Sequence, residues 1–429
     1  MSDELDSVFQ RRHYLHFDAP LARAKLEPLV TTPAEVARWR FLPFLLTEKD
    51  RSKVKRDPAT HQPSIVKKSR SISASSHADA ALYSYYAWLL APLYEAQLHT
   101  RGLGNVATAF RKLKKSNVHF ALDAFVWIEE HRPCVVLTFD VEDFFGSLDH
   151  TYLKKRWSET AGANALPADH YHVWRSLTRY SKVDKAKCFE ELGISKNNPR
   201  ANGRVRLCES DVFRDKISPL IEKHTASAGI PQGTPISALL SNIYMLEFDN
   251  ALATLVASCG GLYRRYCDDI LCVVPQDAEK AVEDAVRNWA AMLKLKLHPG
   301  KSTKHVFSSA VGSRITGAPL QYLGLIFDGE FIRIRPGGIG RHYNRMRSAV
   351  RAATRARDSA ARRSGKLGPE VKIRARGLVD RFTHIGKQNF ISYALRAARL
   401  TNSPAIRKQI KRHSKELRDN VQRKQARLK

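Results

Sequence analysis

The sequence has no apolar run approaching the ~18–20 residues that a membrane-spanning helix needs. Its first residues, MSDELDSVFQRRHYLHF, carry acids where a secretory signal would have an apolar stretch. A cytoplasmic protein without a membrane partner is therefore expected. Cysteine is scarce: there are six in 429 residues, with no CxxC pair and no Cys/His cluster at zinc spacing, so disulfide frameworks and zinc ribbons lose support. The six thiols read as reduced and in or near the core. Internal repeats and low-complexity tracts are missing too. With 43% hydrophobic and 27% charged residues the composition is that of an ordinary globular chain, which excludes wholesale disorder and collagen-like fibres. The length allows about two to four packed units.

Acids are also in short supply, 42 against 72 Lys and Arg, for a net charge of +30. The imbalance is localised. Residues 341–429 hold 26 Lys and Arg and 5 Asp and Glu, so two thirds of the excess sits in the last fifth of the chain. Such a concentration points to a polyanion, because each base that neutralises a phosphate releases condensed counterions. A solvated face or a membrane-surface helix would also explain a basic run. Here the bases lie on helix-like text without the clustered aromatics of an interfacial anchor, which favours nucleic acid.

Residues 1–50 mix apolar and charged text with Pro28, Pro33 and Pro43, predicting short helices that cover another unit. The basic stretch 51–76 predicts a hairpin presenting Lys67, Lys68 and Arg70. From 77 to 100, Tyr83, Tyr86, Leu89, Leu90, Leu93 and Tyr94 recur at helical spacing, a buried helix bent or restarted near Pro92. The run CVVLTF (134–139) is of strand type, ends at Asp140 and precedes helix-like text at 148–157. Residues 181–216 are polar and rich in Lys, Asn and Gly, predicting an inserted loop or flexible hairpin. A Gly/Pro turn at 229 runs into an amphipathic helix, 262–274 predicts two strands around a turn at Asp268-Asp269, and 277–297 another helix. The order up to about 335 is βαββαβ-like, and beyond 340 the text is helical.

Two acidic placements stand out. Asp140 ends an apolar strand, and Asp268-Asp269 occupy the turn of an apolar hairpin 128 residues further on. A split-βαβ sheet would bring them together. Like charges held that close favour cations between them, and magnesium suits hard oxygen donors shared with phosphates. Two such ions, about 3.5–4 Å apart, can lower the charge on an attacking 3′-hydroxyl and stabilise departing pyrophosphate, which is nucleotidyl transfer. An Asp-Asp pair alone is weak, since Asp favours turns.

In this order the motifs carry more. FDVEDFF (139–145), GIPQGTPISALLSNIYM (229–245), YCDD (266–269), LHPGKS (297–302) and LQYLGLIF (320–327) resemble the successive palm motifs and primer grip of bacterial reverse transcriptases of the group II intron and retron lineage. The resemblance spans roughly residues 60–330. It implies an α+β right-hand polymerase with a ferredoxin-like palm: an N-terminal helical extension over 1–59, fingers over 60–130, palm over 131–335 with 181–216 inserted, and a basic helical thumb over 336–429 that grips duplex phosphates. Asp140 and Asp268 would bridge two Mg2+ ions, with Mn2+ able to substitute, while Asp269 assists and the Val141 carbonyl completes a shell. Phe145 matches the ring that crowds the sugar 2′ carbon; without the motif it would read as core packing. Gln232 and Gly233 match the turn against the incoming nucleotide. Arg70, with Lys67 and Lys68, matches the cation clamping the triphosphate, although a hairpin lysine is also an ordinary solvated charge. Lys301 matches the lysine that relieves the pyrophosphate, or else binds backbone phosphate. Tyr322, Leu323 and Gly324 match the primer grip.

Departures narrow the family. A retron enzyme would carry Val-Thr-Gly after the primer grip, whereas Arg314-Ile315-Thr316-Gly317 comes before it. Diversity-generating enzymes replace the PQG that this chain keeps, and a group II intron protein would add a maturase and often a Cys or His metal site, for which no ligand set is present. The segments 68–98 and 109–125 look most like the free-standing reverse transcriptases of antiphage defence, type 2 above all. That implies a companion structured non-coding RNA as template, dNTPs as substrates and a cDNA product. A template-independent transferase, an RNA-templated RNA polymerase and an RNA-binding, maturase-like protein with an idle site are the other readings. Oligomeric state is not legible.

Overall fold

A computed structural model describes residues 5–56, 60, 62–367 and 370–426, with the side chains of 51–56 and 66–68 outside the description. The centre is an antiparallel sheet in the order β6-β7-β3-β8, built from β3 (Cys134–Asp140), β6 (Leu262–Tyr266), β7 (Asp269–Val274) and β8 (Thr303–Phe307). β3 and β7 are apolar at nearly every position because both faces of the sheet are covered. Val135, Leu137 and Phe139 join one core cluster with Ile270, Cys272 and Val274. Cys134 and Val136 join the other with Leu271 and Val273. Helices Leu246–Ser258 and Glu279–Met292 supply the first cluster, Asn117–Glu130 and Phe390–Leu400 the second. The two-sided burial explains why a period-2 element shows no polar alternation.

The second sheet has the order β2-β1-β4-β5: β1 (Phe44–Arg56), β2 (Pro63–Ala74), β4 (Ser181–Asp184) and β5 (Glu222–Lys223). β1 and β2 pair from Leu45↔Ala74 to Arg56↔Pro63. The hairpin expected over 51–76 is therefore present but begins earlier: residues 44–50, expected among short helices, are strand, and the helical extension does not reach 59. The text TEKDRSKVKR has no apolar stripe to seat a helix, so its backbone groups are satisfied by β2 instead.

The expected loop at 181–216 is also structured. β4 pairs parallel to β1, a helix follows at Lys185–Glu191, and Val183, Cys188, Phe189, Ile194, Leu207 and Ile217 bury with Leu15, Phe17 and Leu45. The apolar residues are sparse in sequence, so only their distant partners reveal a core. The helix His77–Thr100 runs through Pro92 without a restart, and the helix expected over 277–297 spans Glu279–Met292.

A third sheet, β9 (Leu320–Tyr322), β10 (Leu325–Phe327) and β11 (Ile332–Ile334), has the order β11-β10-β9. Beyond it the basic helical region divides in two. Pro336–Arg363, Arg376–Phe382 and His413–Gln425 share a small core of Met346, Val350, Leu378, Phe382 and Leu417. Phe390–Leu400 and Pro404–Ile410 instead return to the central sheet, where Ile391, Ala394, Ala397, Ile406 and Ile410 pack with Phe125, Phe307 and Phe327. Gln409 fastens them by donating to the Ile334 carbonyl and accepting from its N–H, at 3.0 and 2.9 Å. All six cysteines carry free thiols. No described helix is long and apolar enough to cross a membrane.

Candidate active site

β3 and β7 place the acids. Asp140 lies directly opposite Asp269 in the antiparallel register, and the Val141 N–H donates to the Asp268 carbonyl at 3.3 Å. The hairpin turn is Cys267-Asp268, one residue earlier than expected, because Asp269 already pairs with Tyr266. Cys267 sits at φ +59°, at a loop position that favours Gly. Burial, reinforced by the charges of Asp268 and Asp140 and opposed by Lys301 and Arg335, pushes Asp269 up to about 7. Three hard oxygen donors on adjoining strand ends, one of them held in a buried setting that disfavours its charge, fit a divalent cation, which reverses that penalty. Among the described residues no three His, Cys, Asp or Glu side chains close into a ready-made metal cage. An ion here would draw the rest of its shell from substrate or solvent oxygens.

The turn that follows helix Glu279–Met292 is strapped to the same strand end. Glu142 N–H donates to the Lys296 carbonyl and His298 N–H to the Asp140 carbonyl, both at 2.7 Å. Lys301 thereby arrives beside the acids, and its ammonium pairs with the Asp140 carboxylate.

The Gly/Pro loop closes another side. Gly229 and Ile230 N–H groups donate to the carbonyls of Leu148 (2.8 Å) and Phe145 (2.9 Å), holding the half-buried Phe145 ring beside the loop. The Gln232 carbonyl accepts from Ser73 N–H at 2.8 Å, which ties the loop to strand β2. Gly233 is required at that contact: its φ is +120°, and a Cβ would lie 2.8 Å from the Ser73 carbonyl oxygen. Arg70 is exposed on the same strand, paired in register with Lys49. The side chain of Lys68 lies outside the described residues.

Tyr322, Leu323 and Gly324, expected as a primer grip, lie at the β9–β10 turn. Leu323 and Gly324 have φ +46° and +88°, the Leu323 carbonyl accepts from Asn117 Nδ2 at 2.8 Å, and the Gly324 carbonyl from Arg335 N–H at 3.1 Å. Tyr322 is buried beneath them, and burial raises its hydroxyl pKa. Sequence reasoning missed Arg265 and Asp249, an ion pair wholly out of solvent just behind the Cys267-Asp268 turn. The available signal was the Arg264-Arg265 pair in a short strand, LYRRY, that leads into the acidic turn.

The raised Asp269 pKa has a measurable consequence. The folded state binds that proton more tightly than the unfolded chain, whose Asp titrates near 4, so this group's stabilisation is complete at low pH and is lost as pH rises through about 7. Thermal unfolding without divalent ions should show a fall in Tm between pH 5 and pH 8 that is smaller in Asp269→Asn. Added Mg2+ should raise Tm at pH 8 in the wild type more than in the variant. Equal pH dependence in the two proteins would contradict the clustering.

A sheet of this topology, with three acids at one end of its two central strands, a Gly/Pro loop alongside and a lysine turn strapped to the same strand end, defines the palm of a nucleotide-polymerising fold. The reverse transcriptase (RNA-dependent DNA polymerase) family profile matches residues 103–327, more than half of the chain, and the chain belongs to that family. No curated protein sequence matches it. Among solved structures it is similar to apo telomerase from Candida tropicalis, at 12% identity and TM-score 0.37, covering 74% of this chain and 54% of that one. The same telomerase truncated from its C-terminal domain gives 10% identity, TM-score 0.40 and coverage of 73% and 61%. Telomerase from Candida albicans in complex with a fragment of telomeric RNA gives 12%, 0.40, and coverage of 94% and 65%. The chain thus spans 54–65% of the length of these telomerases.

Proposed function

We propose that the protein is an RNA-directed DNA polymerase that copies a companion structured non-coding RNA into cDNA, in the service of bacterial antiphage defence. The observation that carries the polymerase part is the register pairing of Asp140 with Asp269 beside the Gln232-Gly233 loop. The defence part is supported by the resemblance of 68–98 and 109–125, while the retained PQG sets the chain apart from diversity-generating enzymes.

In this reading Asp140 and Asp268, with Asp269 and the Val141 carbonyl, hold two Mg2+ ions, for which Mn2+ substitutes. When bound, the ions lower the charge on the primer 3′-hydroxyl and on the departing pyrophosphate. Everything else is positioning by the chain. Arg70 sets its planar fork on the triphosphate, a geometry a lysine cannot copy, with Lys68 adding charge. Gln232 and Gly233 lie against the incoming nucleotide, and Gly233 lets the loop approach Ser73 closely. Phe145 crowds the sugar 2′ position and selects dNTPs. Lys301, which pairs with Asp140, would serve the departing pyrophosphate. Tyr322, Leu323 and Gly324 support the primer terminus, and the Arg- and Lys-rich helices beyond 336 track duplex phosphates without reading bases.

The test is to purify the protein from its native host, sequence the co-purifying RNA and DNA, and repeat the synthesis with dNTPs on that RNA. DNA complementary to the RNA is expected. Homopolymer DNA would favour a template-independent transferase, and RNA without any DNA an idle, maturase-like site.

A further inference from the structure

Arg265 is completely buried, and its guanidinium is committed in every direction that the fold offers it. Nε and Nη2 donate to the two carboxylate oxygens of Asp249 at 2.7 and 2.6 Å. Nη1 donates to Asn242 Oδ1 at 3.2 Å and to the Cys267 carbonyl at 3.0 Å. Each partner is itself anchored. Asp249 accepts from the Tyr263 hydroxyl at 2.8 Å, and Asn242 Nδ2 donates to the Ala109 carbonyl at 3.0 Å. The Arg265 backbone donates to Val106 and accepts from Thr108, both at 2.9 Å.

A buried ion pair is a poor stabiliser by default, because desolvation offsets its Coulomb attraction and apolar residues of similar volume often serve as well. What distinguishes this pair is the atom it reaches. The Cys267 carbonyl belongs to the peptide unit that carries Asp268, in a turn whose first residue holds a left-handed backbone that a β-carbon disfavours. Asn242 lies on the helix that follows the Gly/Pro loop, and Asp249 on the next helix. One planar group therefore spans the acidic turn, the helix behind the nucleotide-facing loop, and a palm helix.

We propose that Arg265 is a positioning residue: clamped by Asp249, it pins the Cys267 carbonyl and so sets where Asp268 and Asp269 present their carboxylates relative to the Gln232-Gly233 loop. The inference rests on the polymerase reading of that site for its consequence in turnover, but the pinning itself is measurable without turnover.

Arg265→Lys keeps the charge but cannot span all three partners at once. The expected pattern is kcat lowered by about 10–100-fold with KM for dNTP changed far less. Mn2+ affinity of the nucleotide-free protein, followed by electron paramagnetic resonance, should weaken on the order of tenfold, as for outer-shell partners of metal ligands generally. Amide hydrogen exchange at 266–270 should accelerate. Asn242→Ala, which removes one acceptor and leaves the ion pair, should give the same pattern at smaller size and decides the matter where Arg265→Lys does not fold. A fall in Tm with Mn2+ affinity, exchange at 266–270 and kcat per folded molecule all unchanged would reduce Arg265 to a structural role and overturn the proposal. If the wild type incorporates no dNTP, the polymerase reading fails, while Mn2+ affinity and exchange still decide the positioning.

Discussion

Replacing Asp268 and Asp269 together by Ala should abolish dNTP incorporation while leaving RNA affinity nearly unchanged. The carboxylates are asked to hold the cations that stabilise charge on the attacking and leaving oxygens, an effect of several kcal/mol, so about a thousandfold loss or more is expected. RNA affinity resides elsewhere. Most of the excess positive charge lies beyond residue 340, and phosphate contacts by Lys and Arg do not depend on the acids. The fold should survive the change. The pairing of Asp269 with Tyr266 and Asp140 is made by backbone groups, and removing the two carboxylates relieves the burial cost, reinforced by like charge, that pushes Asp269 up to about 7. Primer extension and filter binding on the same preparation check both halves. Undiminished synthesis in the double variant would remove the palm assignment.

Phe145→Ala should raise the use of ribonucleotides by about 10–200-fold relative to dNTPs, the range that a steric pocket usually commands. The backbone role of this residue is untouched, since its carbonyl accepts from Ile230 N–H whatever side chain it carries. The ring packs on Phe144 with centroids 5.7 Å apart and is only half-buried, so truncation should cost less than the 3–5 kcal/mol of a fully buried Phe. The comparison to make is kcat/KM for a dNTP and its rNTP on one primer-template, wild type against variant. An unchanged ratio would return Phe145 to plain core packing.

How much of this was legible in the sequence follows from the range of each interaction. Asp140 at the end of CVVLTF could be placed from a local pattern, and so could the hairpin carrying YCDD, because short apolar runs and the turns that bound them are properties of neighbouring residues. The turn was misplaced by one residue, since only the pairing of Tyr266 with Asp269 shows which residues lie in the loop. The segment 181–216 read as a loop because its few apolar residues are isolated in the text, yet Val183 and Phe189 bury against Leu15 and Phe17. The basic C-terminal region read as one helical unit, although Ile391 and Ile406 belong to the palm core and Met346 and Leu417 do not.

The sequence by itself determined the positions of the three acids along the chain, the apolar strand-type runs beside them and the concentration of positive charge beyond residue 340, all set by residue type and near-neighbour spacing. The tertiary structure alone decided which residues meet across long separations: Asp140 with Asp269, Ser73 with the Gln232 carbonyl, and Arg265 with Asp249 and the Cys267 carbonyl. Hydrogen bonds and close backbone approaches of this kind depend on three-dimensional register, and a residue type carries no record of the partner that register will bring to it.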